Sequence, residues 1–307
     1  PPASITIDNT VPVAITGLAA AQKKTLNDAD GTTKIQLTFT PPVDAAVIEI
    51  YRAGFGQYPE YDDAGGAVPA TPSYPPGAPW ALTGVTASGG YDEVATPRDF
   101  WYYVGFAKDA CGNVSAVSNK TTGTLNYHLG DVTDGFTAGT GDNLVGTVDI
   151  SLLGAHYGAL LGAPPAAWDY LDVGPTTNYS VNARPTTDNK VQFEDLMMFA
   201  INYGTVSKAL PASVPAATDE LIVLVPEGAE PGGTLLAHLW VRGTGRVQGL
   251  SARLQWNAAV VEPVGVEPGD LVRDLDGVVF SPEPGTVDAA LLGVRDQGLT
   301  GEGDLAT

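Results

Sequence analysis

"DNLVGTVDISLLGAHYG" at 142–158 and "DNKVQFEDLMMFAINYG" at 188–204 are two versions of one pattern, 46 residues apart. Each runs Asp-Asn, a Val three residues after the Asp, a second Asp at the eighth place, an apolar stretch, then Tyr-Gly. Ile150, Leu153, Gly154 and Tyr157 in the first copy recur at the spacing of one helix face, as do Leu196, Phe199, Ala200 and Tyr203 in the second. Each predicted helix is about ten residues long, too short to be stable alone in water. Gly158 and Gly204 supply C-terminal stops. The first turns need an anchor, and the acids provide the candidates.

Calcium takes six to eight oxygens, and a loop of the EF-hand type presents them from places 1, 3 and 5, a carbonyl at 7 and an acid at 12. Asp149 and Asp195 fit place 12, in the first turn of each helix, where the helix dipole favours an anion. Place 5 then falls on Asp142 and Asp188, and the carbonyls at 7 on Leu144 and Lys190. Val145 and Val191 follow at place 8, where an apolar side chain ties loop to helix. Counting back to place 1 gives Ala138 and Arg184, which bind no cation, whereas an insertion brings in Asp131 and Asp172 from two upstream Asp-Val pairs. Asp134 and Asn182 are the candidates for place 3. Asn143 and Asn189 stand at place 6, where Asn tolerates the left-handed backbone. Nine acids face three bases between 128 and 208, in keeping with cation loops.

This doubled arrangement resembles the type I dockerin over 125–208. The resemblance implies two calcium ions, calcium-dependent folding and binding to a cohesin domain. It also implies that Thr147 and Val148 in one copy, and Phe193 and Glu194 in the other, choose the partner. Those pairs differ, so the two faces are not interchangeable. The alternative is a calcium-stapled connector that binds no separate partner.

Residues 1–124 read as strands. "ASITID" and "TKIQLTFTPP" alternate apolar with polar, "AAVIEIYRA" follows, and "FWYYVGFAKDACGNVSAVSN" reads as a hairpin turning at Asp109 to Asn113. The stretch "YYVGFAKDACGNVSAVS" resembles the last strands of fibronectin type III-like domains, which implies a spacer or adhesion module without catalytic residues. The connection at 53–80 is long for a small sandwich and carries Tyr58, Tyr61, Tyr74 and Trp80. These aromatics either form a loop for carbohydrate or a protein partner, or pack on their own sheet.

An Ala/Pro/Ser-rich linker at 209–218 leads to a last strand-rich segment, 219–307. "ELIVLVPEGAEPGGTLLAHLWVRGTGRVQGLSARLQWNAAVVE" resembles the opening half of a cohesin. Asn257 and Ala258 stand where that family usually has Asp and Pro. About 90 residues are fewer than a full cohesin sandwich, so this domain is expected to be incomplete at its C-terminus and to expose strand edges. The opening at Pro1, without Met or leader, likewise suggests a mature form or a fragment.

Composition agrees with this organisation. The 307 residues hold 37 Gly and 24 Pro with short apolar runs, favouring turns and strands over long helices. A net charge of −20 repels phosphate backbones and argues against nucleic acid. The one cysteine, Cys111, excludes an internal disulfide framework, and no run approaches a membrane span. His128, His156 and His238 show no metal-protease spacing, and no nucleophile elbow is present. The sequence is therefore expected to be mainly β, with two β-sandwich domains (fibronectin III/Ig-like and partial cohesin-like) flanking a small α calcium-loop, dockerin-like domain. Its expected role is non-catalytic: a secreted, extracellular or cell-surface protein joining other chains, as a homo-oligomer or filament, by dockerin/cohesin-type or strand-complementation contacts. The competing reading is the non-catalytic part of a polysaccharide-degrading enzyme, docked to a scaffold.

Overall fold

A computed structural model describes residues 8–25, 27–62, 65–93, 97–204, 218–226, 230, 232–293 and 297–307. The chain is mainly β, with antiparallel sheets and three short α-helices among the described residues. It divides into two compact units. The first comprises Pro1–His128, Gly141–Asn143 and Thr176–Thr186; the second comprises Leu129–Thr140, Leu144–Pro175 and Thr187–Thr307. Residues 125–208 are thus shared out between the units, two pieces of the doubled region belonging with the first.

The first unit is built from β1 (Thr16–Gln22), β2 (Ile35–Thr40), β3 (Val47–Gly54), β4 (Ala81–Leu82), β5 (Tyr91–Asp92), β6 (Phe100–Lys108) and β7 (Thr124–Leu125). One sheet runs β1-β2-β5 and the other β4-β3-β6-β7. Alternation explains the core: Ile35, Leu37 and Phe39 of β2 point inward, as do Ile48 and Ile50 of β3. They meet Ile15, Leu18 and Tyr103 in one cluster drawn from both sheets. The strand segment read in "ASITID" falls on residues 1–7, outside the described residues, except for Asp8.

The predicted turn at Asp109 to Asn113 is present. The Asp109 carboxylate accepts the N–H groups of Cys111 (2.9 Å) and Asn113 (2.8 Å). The arm after it departs from a regular strand. Ser115, Ser118 and Thr121 donate backbone N–H groups to the carbonyls of Ala107, Gly105 and Tyr103 (2.9, 2.9 and 3.0 Å). Their hydroxyl oxygens accept the N–H groups of those same residues at 2.9, 2.8 and 2.9 Å. A step of three residues on this arm matches a step of two on β6, and side-chain oxygens replace the carbonyls a strand would offer. The hydroxyl spacing in "NVSAVSNKT" carries this pairing.

The long connection folds onto the same unit. Tyr61 and Trp80 are buried. The Tyr61 hydroxyl lies 3.1 Å from that of Tyr127, and the Trp80 indole N–H donates to the Ala70 carbonyl (3.0 Å). Tyr58 meets Tyr127, and Tyr74 meets Phe106, edge-on with ring centroids 5.2 Å apart in each pair. Tyr74 thus meets the sheet at β6, while Tyr58, Tyr61 and Trp80 contact other residues of the same unit.

The second unit contains α1 (Thr147–His156), α2 (Phe193–Asn202), β8 (Glu220–Leu224), β9 (His238–Thr244), β10 (Gly249–Arg253), α3 (Asp270–Asp274), β11 (Gly277–Phe280), β12 (Thr286–Leu291) and β13 (Thr300–Ala306). Its sheets run β13-β9-β8 and β10-β12-β11. Leu239 and Val241 of β9, Val287, Ala289 and Leu291 of β12, Val272 of α3 and Leu305 of β13 form one core. No helix among the described residues is long and apolar enough to cross a membrane.

Removing one hydroxyl from the Ser115–Thr121 arm isolates its contribution. Ser118→Ala leaves the buried Gly105 N–H without its acceptor and is expected to cost about 1–3 kcal/mol in urea unfolding. Ser118→Thr, which keeps the oxygen, is expected to cost less; equal losses would refute the hydroxyl pairing.

Candidate cation loops and the helix pair

Both predicted helices form where the spacing places them, and each ends at a Tyr followed by a left-handed Gly, with φ of +81° at Gly158 and +67° at Gly204. Ile150, Leu153, Leu196, Phe199 and Ala200 are buried. The two ends are cross-linked. Gly158 N–H donates to the Val191 carbonyl (2.7 Å), and Gly204 N–H donates to the Val145 carbonyl (2.8 Å). Each helix end thus binds the loop of the other copy through the repeated Val and Gly.

The first turns are held by the predicted acids. Asp149, fully buried, accepts N–H groups from Val132 (2.8 Å) and Thr133 (3.0 Å) on one oxygen and from Gly146 (2.8 Å) on the other. Asp195, also fully buried, accepts from Val173 (2.7 Å), Gly174 (2.9 Å) and Gln192 (2.8 Å) in the same way. The upstream Asp-Val pairs therefore belong to the loops: their backbone reaches the acid of the first turn. Sequence reading gave these acids to a cation and missed that they serve as acceptors for main-chain N–H groups.

Asp131 and Asp172 themselves are buried. Asp172 Oδ2 accepts N–H groups from Asp188 (3.0 Å) and Asn189 (2.7 Å), while its Oδ1 is buried without a hydrogen-bond partner. Asn189 Oδ1 is likewise buried and unpartnered. Asn143 and Asn189 adopt the left-handed backbone, with φ of +69° and +62°. Burial pushes the Asp172 carboxyl up to about 7, opposed by the N–H groups of Asn189 and Asp188. Burial, and then the Asp172 charge, holds Asp195 well above the usual carboxylate range.

The remaining predicted ligands are more open. Asp134 accepts N–H groups from Phe136 (2.8 Å) and Thr137 (2.6 Å), which lower its carboxyl. Asp188 is paired with Lys190 Nζ (3.0 Å) and receives Gln192 Nε2 (3.2 Å). Leu144 is exposed, and its expected part is its carbonyl. Asp142 and Asn182 fall in segments belonging to the first unit. Among the described residues, no three His, Cys, Asp or Glu side chains converge as a metal group. The oxygens fit a hard cation best in the second loop, where a carboxylate and an amide oxygen stand unpartnered.

The helix pair also lies against the chain's own sheet β10-β12-β11. The Tyr157 hydroxyl donates to Asp288 Oδ2 on β12 (2.7 Å), and its ring lies 4.8 Å from that of Phe280. Gly293 N–H donates to the Ala200 carbonyl (2.9 Å). A Cβ at Gly154 would stand 3.0 Å from Phe280, and one at Gly249 would stand 2.4 Å from Met197 Sδ, so glycine permits both approaches. Of the predicted partner positions, Thr147 and Val148 are exposed, while Phe193 and Glu194 are half-buried. His156 stacks on Trp168 with ring centroids 3.8 Å apart, as a helix-face residue.

No protein family matches the chain, and no curated protein or solved structure matches it significantly.

Asp195→Ala strips three buried N–H groups of their acceptor and is expected to cost at least about 3 kcal/mol. A melting temperature equal to that of the unaltered chain would refute the anchoring role. The Asp172 carboxyl gives a pH test. In the fold it holds its proton up to about pH 7. The unfolded chain releases it near pH 3.9. Stability therefore falls as pH rises through this window, and Asp172→Asn flattens that slope. Thermal melting in chelator across the window measures it; parallel profiles for the two proteins would exclude Asp172 as the source.

Proposed function

We propose that the chain is a non-catalytic, secreted modular protein whose helix pair is stabilised by calcium and which joins other protein chains into an extracellular assembly. The observation that carries this reading is the second loop. Asp172 Oδ1 and Asn189 Oδ1 are buried without partners, beside a second buried carboxylate at Asp195. Like charges in a low-dielectric setting need a proton or a cation between them, and calcium prefers carboxylate and amide oxygens. Asp172, Asn189, Asp188 and the Lys190 carbonyl are the groups that would hold it. In the first loop, Asp131 and the Leu144 carbonyl are the counterparts of Asp172 and the Lys190 carbonyl. The ion would supply the positive charge the buried acids lack and keep the loop closed over a short helix.

The architecture supports the modular part of the reading. Among the described residues, seven strands in sheets of three and four agree with a fibronectin III/Ig-like sandwich, and two three-stranded sheets in the second unit agree with a cohesin-like sandwich. The crossed Gly-to-Val hydrogen bonds agree with a dockerin-like pair. Because Gly154, Tyr157, Met197 and Ala200 face the chain's own sheet, a separate partner would take the helix starts at Thr147, Val148, Phe193 and Glu194.

Calorimetric titration of calcium into chelator-treated protein, with melting temperatures recorded alongside, tests the proposal. Saturable uptake that raises the melting temperature is expected, and Asp172→Asn should remove one site. Absence of uptake with an unchanged melting temperature would overturn the calcium reading. Sedimentation with and without calcium tests the assembly reading separately.

A further inference from the structure

We propose that the outer edge of β8 is an assembly site that takes an extended strand from a second copy of this chain, its segment Pro1–Ile7. The inference rests on the assembly reading above and names the contact. Within the sheet β13-β9-β8, β8 pairs with β9 alone, and no strand among the described residues lies on its other side. The strand is apolar and exposed along its length: Leu221 is 45%, Ile222 36%, Val223 48% and Leu224 47% exposed. Val225 continues the run at 59%.

Register shows what is missing. Leu221 stands opposite Val241 and Val223 opposite Leu239, and directly opposed residues share a face of the sheet. Val241 and Leu239 are each 3% exposed and belong to the core of the second unit. Leu221 and Val223 thus lie on the core side of the sheet, yet remain exposed among the described residues.

Charge decides the occupant. Between Leu221 and Val225 the edge carries none. Glu220, at its start, is taken up by Arg242 (3.0 Å), and the Asp219 carboxylate accepts the Thr244 N–H (2.7 Å). With a net charge of −20, two copies repel unless they meet through segments free of acids. Residues 1–7, which lie outside the described residues, read Pro-Pro-Ala-Ser-Ile-Thr-Ile with no charge. Ala3, Ile5 and Ile7 alternate with Ser4 and Thr6, so as a strand this segment offers one apolar face to the core side and one hydroxyl face to water. At roughly 3.3 Å per residue it is long enough to cover β8. The chain then continues into Asp8, whose carbonyl accepts Asn113 Nδ2 (3.0 Å) in the first unit. An added strand completes the backbone hydrogen bonds of the edge, and its alternate side chains enter the open core, the mode of recognition known as strand addition. Because the donor segment and the acceptor edge are different surfaces, the contact is head-to-tail and propagates into rings or open filaments.

Sedimentation velocity over a concentration series, with calcium present, tests this on the full chain, on a chain lacking residues 1–7, and on Val223→Lys. Oligomers are expected from the full chain and monomers from both variants, each checked for an unchanged melting temperature. A labelled peptide with the sequence PPASITID should bind the shortened chain. Its affinity should fall about tenfold or more when Val223→Lys is added to that chain. Oligomers persisting in the shortened chain, or peptide binding indifferent to Val223→Lys, would overturn the proposal. If the oligomers persist in both variants and vanish with chelator, the assembly reading stands and this contact falls. A full chain that stays monomeric at every concentration overturns both.

Discussion

Two buried carboxylates govern the helix pair. Asp149 and Asp195 each gather three backbone N–H groups, one from the start of their own helix and two from a loop many residues upstream. A ten-residue helix does not persist in water on its own propensity. Here the first turn is fastened to a distant loop, so helix, loop and tertiary contact form together. The cost is a negative charge out of water, offset by the N–H dipoles around it. In the second copy that offset is incomplete, because Asp172 brings another buried carboxylate with an unpartnered oxygen. The fold has placed negative charge where only a proton or a cation relieves it.

The far ends of the helices obey a second constraint. Tyr-Gly closes both copies, and each Gly donates its N–H to the Val carbonyl of the other copy. Neither copy is complete alone: its loop is capped by its partner's helix end. Beyond that symmetry the copies diverge for a physical reason. The first helix approaches β11 through Gly154, where a side chain would strike Phe280, and its Tyr157 reaches the buried Asp288. The second meets the sheet through Met197 and the Ala200 carbonyl. Facing different parts of one sheet, the two helices cannot keep the same surface residues.

Much of this was legible because it rests on local chemistry. The 3.6-residue spacing gave both helices, the glycines gave their ends, and alternation in "TKIQLTFT" and "AAVIEIYRA" gave β2 and β3. The Asp-Asn positions were legible through the tolerance of Asn for positive φ. Less visible were features that depend on distant chain. Nothing in "GDVTDG" or "YLDVGP" says that the backbone after each Asp is the donor set for Asp149 or Asp195. The Ser115, Ser118 and Thr121 arm reads as a strand because its hydroxyls imitate a strand's acceptors at a different period. Tyr61 and Trp80 illustrate the same limit: a Pro-rich aromatic loop reads alike whether its rings are open to solvent or, as here, buried.

The sheet edges separate two ways of ending a β-structure. β1 breaks its register against β2 between Thr16 and Ala19, and β13 breaks its register against β9 near Ala306 and carries Glu302 and Asp304. Irregularity and charge both discourage another strand from joining. The arm beside β6 takes up that strand's N–H groups with hydroxyls and its carbonyls with backbone N–H groups, so β6 presents no long free ladder there. β8 has none of these devices: its register against β9 is continuous, and its single acid is neutralised by the neighbouring strand. In a chain whose acids outnumber its bases by 35 to 15, the exposed run Leu221–Val225 carries no charge. Exposure of that kind is costly in water and invites edge-to-edge aggregation, and the cost is removed when another strand covers the edge.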